Sequence, residues 1–167
     1  SAIYGASALN GVINIKTKTA NQNKINQHPL IGYTQVNSLY GYYDTPQRKE
    51  LVWWEGKNEF INFDLLHTEI FNNTSIFISG NYYKDDGYRM GEGTSRKRIN
   101  FSTKYKDQKI KGLSYGILGN FLMQESGYNL LWDHYNRAYI PFQNDLSTTK
   151  GETYNIDPFI TYISNNN

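Results

Sequence analysis

The sequence predicts an all-β fold of antiparallel strands. Apolar and polar residues alternate with a period of two along much of the chain, whereas the 3.6-residue period of an amphipathic helix is almost absent. Tyr, Phe, Ile and Thr fill the alternating segments, and Asn, Asp or Gly close them. The six predicted strands are Ile31–Tyr43, Asn58–Phe71, Ser75–Tyr83, Lys97–Tyr105, Leu113–Gln124 and Thr153–Ile163.

The last of these segments shows the alternation most clearly. One face of it carries Tyr154, Ile156, Pro158, Ile160 and Tyr162, and the other carries Asn155, Asp157 and Thr161. Pro158 has no N–H for the strand ladder, so it predicts a local defect or bulge. The first two segments are ambiguous. In the second, His67 and Glu69 share the parity of Phe63 and Leu65.

The connections between the six segments alternate between long and short. The long ones are Asp44–Lys57, Lys84–Ser95 and Ser126–Glu152, and the short ones are Asn72–Thr74 and Lys106–Gly112. In an antiparallel meander this order places all the long loops at one end of the sheet. Membrane β-barrels have this arrangement, with short turns on one side and long extracellular loops on the other.

The aromatic residues also indicate a membrane barrel. The chain has 15 tyrosines and 16% aromatic residues, but only 19% charged residues and a mean hydropathy of −0.67. One group falls where strands meet long loops (Tyr40, Tyr42, Tyr43, Trp53, Trp54, Tyr82, Tyr83, Tyr154), and a second falls near the short turns (Tyr105, Tyr115, Tyr162). Tyr154 and Tyr162 are separated by about 20 Å of height for a strand tilted by about 40°, near the barrel's apolar band of about 25 Å. The alternative is a soluble, tyrosine-rich sheet.

Several function classes find no support in the residues. A net charge of +2 with scattered basic residues argues against nucleic-acid binding. The absence of cysteine excludes thiolate metal sites, and His28, His67 and His134 lack metal-ligand spacing, so we expect no metal and no cofactor. Asp85-Asp86-Gly87 with Glu92 fits an ordinary turn better than a calcium loop. No nucleophile, acid and base combine, so no enzyme is predicted.

The longest connection contains the best candidate for ligand binding. Its aromatic and charged residues are Trp132, Asp133, Tyr135, Arg137 and Tyr139. Aromatic faces beside hydrogen-bonding groups suit a sugar, a peptide or an aromatic siderophore. The same aromatics would equally serve to pack the loop against its neighbours, and the sequence leaves these alternatives open.

The opening stretch, SAIYGASALNGVINIKTK, resembles the end of the plug domain in TonB-dependent outer-membrane receptors, especially the large transporters of Bacteroidota. The plug motif is carried by Gly5 and by Gly11, Val12, Ile13, Asn14 and Ile15. RKELVWWEG, KGLSYGI and NIDPFITY are similar to early barrel segments of that family. The resemblance assigns residues 1–18 to the end of the plug, 19–30 to a linker and 31–167 to the first part of the barrel.

Such receptors have a plugged barrel of about 22 strands, so the resemblance implies that this chain is a fragment with about six. It also implies import of a scarce nutrient across the bacterial outer membrane, where the protein contacts lipid, an extracellular small ligand, the TonB complex and, in some systems, a surface lipoprotein. The TonB-contacting segment of the family is missing from these residues. The alternatives are a passive porin or adhesin barrel and a soluble sugar-binding β-domain.

Overall fold

The computed structural model describes residues 32–142 and 146–164, and they form one six-stranded antiparallel sheet. The strands are β1 (Tyr33–Tyr42), β2 (Glu59–Phe71), β3 (Thr74–Asp85), β4 (Thr94–Lys106), β5 (Leu113–Tyr128) and β6 (Ser147–Tyr162), and each pairs with the next along the chain. The predicted all-β fold and its six antiparallel strands are confirmed. The described residues include two 3₁₀ turns, Lys49–Leu51 and Tyr135–Arg137.

The strand register divides the side chains between two faces of different character. Directly paired residues lie on the same face, and successive residues of a strand lie on opposite faces. One such row across the sheet is Val36, Leu65, Gly80, Ile99, Phe121 and Tyr154. The neighbouring row on the opposite face is Gln35, Leu66, Ser79, Asn100, Asn120 and Asn155. We call these the apolar face and the polar face.

Nothing in the described residues covers the apolar face. Ile99 on the central strand β4 is 50% exposed, and on β6 the exposed fractions reach 58% for Ile156 and 72% for Ile160. Across residues 32–142 and 146–164 the buried apolar side chains are those of Leu51 and Pro141, and both lie in the connections between strands. The described sheet is therefore one layer thick, and it has no hydrophobic core of its own.

Two polar residues interrupt the apolar face on β2. His67 lies 2.8 Å from the Thr34 hydroxyl through Nδ1 and 3.4 Å from the Glu69 carboxylate through Nε2. These contacts give both side chains polar partners within the face, which resolves the ambiguity of this strand in the sequence. The predicted defect at Pro158 is absent, because Pro158 pairs with Ile117 in regular register on β6, an edge strand of the described sheet.

The predicted order of long and short connections is confirmed. The short turns use left-handed backbone, with φ 48° at Asn72 and 85° at Gly112. The second turn is further closed by Asp107, whose carboxylate accepts hydrogen bonds of 2.8 Å from the N–H groups of Lys109 and Ile110. All three long connections meet at the opposite end of the sheet.

The sequence misplaced Tyr154 along its strand. Tyr154 was assigned to the end of the strand, but β6 begins at Ser147 and Tyr154 lies near the middle of β6, with its ring 5.8 Å from that of Phe121. The polar segment STTKGET that opens β6 lacks apolar alternation, so its strand pairing left no sign in the sequence. The estimate of apolar height based on Tyr154 therefore does not apply.

The structure contains no helix, among the residues it describes, with the length and apolar character needed to cross a membrane. The assignments of residues 1–18 to a plug and 19–30 to a linker lie outside the described residues.

The packing of β4 against β5 generates a prediction at Gly116. A β-carbon there would meet the carbonyl oxygen of Thr103 and the ring of Phe159, whereas one at Gly151 would meet open space. We expect Gly116→Ala to lower the free energy of unfolding by about 1–3 kcal/mol, because the backbone of β4 would have to move. Gly151→Ala is the matched control and should change it by less than about 1 kcal/mol. Urea unfolding in detergent micelles, followed by tryptophan fluorescence, measures both, and equal midpoints would contradict the prediction.

Candidate functional site

The three long connections pack against one another at one end of the sheet. We call residues 43–58, 86–93 and 129–142 the loop cap. The Met90 N–H donates to the carbonyl of Tyr139 over 2.9 Å, which joins the second connection to the third. The buried Asn58 side-chain amide donates to the carbonyl of Gly87 over 2.5 Å, which joins the first connection to the second. The loop cap is thus held together by hydrogen bonds to backbone carbonyls.

Tyr88 lies at the centre of the loop cap. Its ring centroid is 4.8 Å from that of Tyr139, 5.4 Å from that of Tyr43 and 6.2 Å from that of Trp54, so it touches both neighbouring connections. The Trp53 indole N–H donates to its carbonyl over 3.1 Å. The hydrogen bond with Tyr139, and then burial, raise the pKa of Tyr88. The two tryptophans, placed in an aromatic girdle from the sequence, pack within the loop cap instead.

The structure brings the five predicted binding residues together on one connection and gives each a protein partner. Arg137 pairs with Asp133 at 2.8 Å, and Tyr139 packs on Tyr88. Arg89 lies 3.9 Å above the ring of Trp132. Both packing and exposure are therefore present: Trp132 contacts the neighbouring connection and remains 40% exposed.

Tyr135 is the most accessible of the five residues, with 80% of its surface exposed. The Arg48 guanidinium lies 4.2 Å from its ring centroid and donates a hydrogen bond of 2.6 Å to Asn136. Arg48, Tyr88 and Arg89 were not identified as site residues from the sequence, because they come from other connections and no local pattern relates them to the third. The exposed rings of Trp132 and Tyr135 each combine with an arginine, a combination that suits a polar, planar or anionic ligand.

Asp85 anchors the loop cap to the polar face of the sheet. Its carboxylate accepts hydrogen bonds from the Tyr43 hydroxyl at 2.9 Å, the Tyr83 hydroxyl at 2.8 Å and the Gly87 N–H at 2.8 Å. Burial and the hydrogen bond to Asp85 raise the pKa of Tyr43 to about 12. These bonds make Asp85-Asp86-Gly87 a structural turn. Residues 32–142 and 146–164 contain no group of three or more metal-ligating side chains.

Below the loop cap, the polar face contains a groove of about 520 Å³. We call it the polar groove. It is lined by Gln35, Asn37, Asn62, Asp64, Leu65, Leu66, Ser79, Gly80, Asn81, Arg96, Arg98 and Asn100. It continues into a second concavity of about 480 Å³ that shares Leu66, Ser79 and Asn100. Five side-chain amides and two arginines line the first concavity. The second is more apolar, because Leu66, Phe77, Phe101 and Leu118 line it together with three amides. No local pattern in the sequence marks this groove, because its residues come from four strands.

A hydrogen-bond network holds the polar groove in shape. The Asn81 side-chain amide donates to Asp64 at 2.7 Å and to Asn62 at 2.9 Å, and Asn62 donates to Asp64 at 2.6 Å. The Arg96 guanidinium donates to the side-chain oxygen Oδ1 of Asn81 at 3.1 Å. The Asp64 carboxylate is therefore occupied by amide donors.

The central position of Tyr88 leads to a prediction about the loop cap. Tyr88→Ala removes the ring that contacts both neighbouring connections, so we expect protease cleavage within the loop cap to become several-fold faster. Leu130→Ala is the control, because Leu130 is 82% exposed and its loss should leave the rate nearly unchanged. Limited proteolysis with mapping of the cut sites measures the effect. Equal cleavage rates in the two variants would show that Tyr88 does not hold the connections together.

The raised pKa of Tyr43 predicts a loss of stability in alkali. The unfolded chain releases this proton near pH 10 and the folded chain near pH 12, so the folded state binds more protons in between. Stability from this group is fully present below pH 10 and falls as the pH rises towards 12. Tyr43→Phe should reduce the decline, and Tyr135→Phe, at an exposed ring, should leave it unchanged. Urea midpoints measured from pH 9 to 12 test this, and identical profiles in all three proteins would exclude a role for Tyr43.

Comparison of the chain with models of known families, with curated proteins and with solved structures finds no match. The arrangement of the sheet, the loop cap and the polar groove is therefore the basis on which a function can be proposed.

Proposed function

We propose that this chain is a section of the wall of an outer-membrane β-barrel, and that the barrel belongs to a TonB-dependent receptor that imports a scarce nutrient. The observation that carries the proposal is the uncovered apolar face of a one-layer sheet whose other face is polar. A lipid-exposed barrel wall needs this distribution of side chains, with apolar residues outside and polar residues towards the lumen.

The extent of the apolar face suits the bilayer. On β4, Lys97 and Tyr105 lie eight residues apart on this face, with Ile99, Phe101 and Thr103 between them. At about 3.3 Å per residue and a tilt of about 40°, this is about 20 Å of height, close to the apolar band of about 25 Å in such barrels.

Both limits of the apolar band have the side chains expected at a membrane interface. Towards the loop cap, Lys150 and Glu125 form an ion pair of 3.1 Å on this face. Towards the short turns, the rings of Tyr105 and Tyr115 lie 5.2 Å apart. Charged and aromatic residues at the two borders of an apolar band favour a membrane wall over a soluble sheet.

The two edges of the sheet support a section of a larger barrel. Within the described part of the chain, β1 pairs with β2 alone and β6 with β5 alone, so each has one side without strand partners. Open edges are not tolerated in the hydrocarbon layer, because unpaired backbone groups cost several kcal/mol each. We therefore infer that further strands close the wall. A soluble sugar-binding domain would leave both the edges and the apolar face in water.

Energy coupling through TonB rests on the resemblance of residues 1–18, and the loop cap is the proposed site of first contact with the extracellular ligand. In this assignment Trp132 and Tyr135 present exposed ring surface to the outside. Arg89 and Arg48 lie against these rings and are themselves ion-paired with Glu92 and Glu50. A passive porin or adhesin would share the wall but would not need the plug. Loss of uptake in a strain that lacks TonB would separate the importer from these rivals.

Single cysteines test the membrane assignment, because the native chain has no cysteine. The pair Ile78→Cys and Ser79→Cys places one thiol on each face of β3 at neighbouring positions. Introduced into the gene that encodes this sequence, each would be labelled with an environment-sensitive fluorophore in isolated outer membranes. We expect the label at 78 to be quenched by lipids brominated in their acyl chains, and the label at 79 by water-soluble iodide.

Ile99→Cys and Asn100→Cys on β4 form an independent pair with the same expected pattern. Tyr135→Cys, in the loop cap, is a control that should respond to iodide alone. Equal lipid quenching at 78 and 79, or recovery of the protein without detergent in the soluble fraction, would refute the membrane wall.

A further inference from the structure

We propose that the polar groove binds a small, hydroxyl-rich anion such as a sugar acid, with Arg98 as its principal contact. This inference rests on the proposed function for its orientation, in which the polar face lines the lumen. It adds the chemical class of a solute that the lumen would accept.

The state of Arg98 is the first argument. Its Nε is buried and has no hydrogen-bond partner, and no ion pair or aromatic contact to its side chain occurs in the described part of the chain. A guanidinium has five N–H donors in a planar fork that matches a carboxylate. Leaving such a donor unpaired at a half-buried position is costly, so the site favours an incoming acceptor.

The nearby carboxylate does not meet this need. Asp64 lies in the same row as Asn81 and Arg98, but Asn81 stands between the acid and the arginine. The oxygens of Asp64 already accept hydrogen bonds from Asn62 and Asn81. Arg96, two residues from Arg98 and about 7 Å away along the strand, donates to Asn81 rather than to an acid. The polar groove therefore contains two arginines, and its one carboxylate, Asp64, is hydrogen-bonded to amides and not to Arg98.

The amides of the groove define the rest of the ligand. Gln35, Asn37 and Asn100 line the groove with side chains that both donate and accept hydrogen bonds, which suits hydroxyl groups. The volume of about 520 Å³ is in the range of small-molecule sites. A carboxylate on a polyhydroxylated ring uses both the arginines and the amides.

Calorimetric titration of the detergent-solubilised protein, isolated from outer membranes, tests the inference. D-glucuronate, D-glucose and inorganic phosphate are the three probes. We expect glucuronate to bind at least tenfold more tightly than glucose, because the carboxylate gains a charge-assisted, two-pronged hydrogen bond. Phosphate should bind more weakly than glucuronate, because it lacks the ring hydroxyl groups that exchange hydrogen bonds with the amides.

Arg98→Gln should weaken glucuronate binding at least tenfold. Lys97→Gln is the matched control, since it removes the same charge from the adjacent residue on the apolar face, and it should change affinity less than twofold. If Arg98→Gln fails to fold, Arg98→Lys keeps the charge but not the fork and should weaken binding three- to tenfold.

Three results would overturn the inference: glucuronate and glucose binding alike or not at all, equal effects of the Lys97 and Arg98 variants, or phosphate binding as tightly as glucuronate. A negative titration would refute the ligand of the polar groove but not the proposed membrane wall. A negative cysteine experiment would refute the membrane wall, and with it the assignment of the polar face to a lumen.

Discussion

The structure depends on one constraint, which is that the sheet has an apolar face with no layer over it. A soluble domain buries such a face against helices or a second sheet, and the free energy gained by that burial is the main driving force of folding. Here the buried apolar side chains of the described residues, Leu51 and Pro141, both lie in the connections and not in the sheet. In the proposed membrane wall, the stabilising contact for this wide face comes from a lipid bilayer, which provides an apolar solvent of suitable thickness.

On the polar face, the side chains form hydrogen bonds with one another. Amides on neighbouring strands bond to one another, as Asn81 does to Asn62 and Asp64, so the ladder of side chains reinforces the backbone ladder. At the end of the sheet next to the loop cap, the Asp85 carboxylate accepts hydrogen bonds from the hydroxyls of Tyr43 and Tyr83. These bonds attach the first connection to the polar face. The position of the loop cap is therefore coupled to the geometry of the sheet.

The loop cap uses aromatic residues for cohesion and leaves some of them accessible. Tyr88 packs on two neighbouring connections, while Trp132 and Tyr135 keep exposed surface beside arginines. Packing and ligand binding are thus compatible interpretations of the third connection. Tyr139 packs on Tyr88, while Trp132 and Tyr135 keep surface that a ligand could contact. Cohesion among the connections would keep the exposed rings in fixed relative positions, which lowers the entropy lost when a ligand binds.

The sequence by itself determined the all-β class, the six strands and the order of long and short connections, because two-residue alternation and turn residues are local properties of the chain. It missed the extension of β6 back to Ser147, since STTKGET has no apolar alternation and pairs only because β5 lies beside it. The partners of the predicted loop residues and the grouping of Arg98 with Asn62, Asp64 and Asn81 were decided by the tertiary structure alone. Strand register brings together residues that are distant in the sequence, and across the three long connections no turn fixes that register locally.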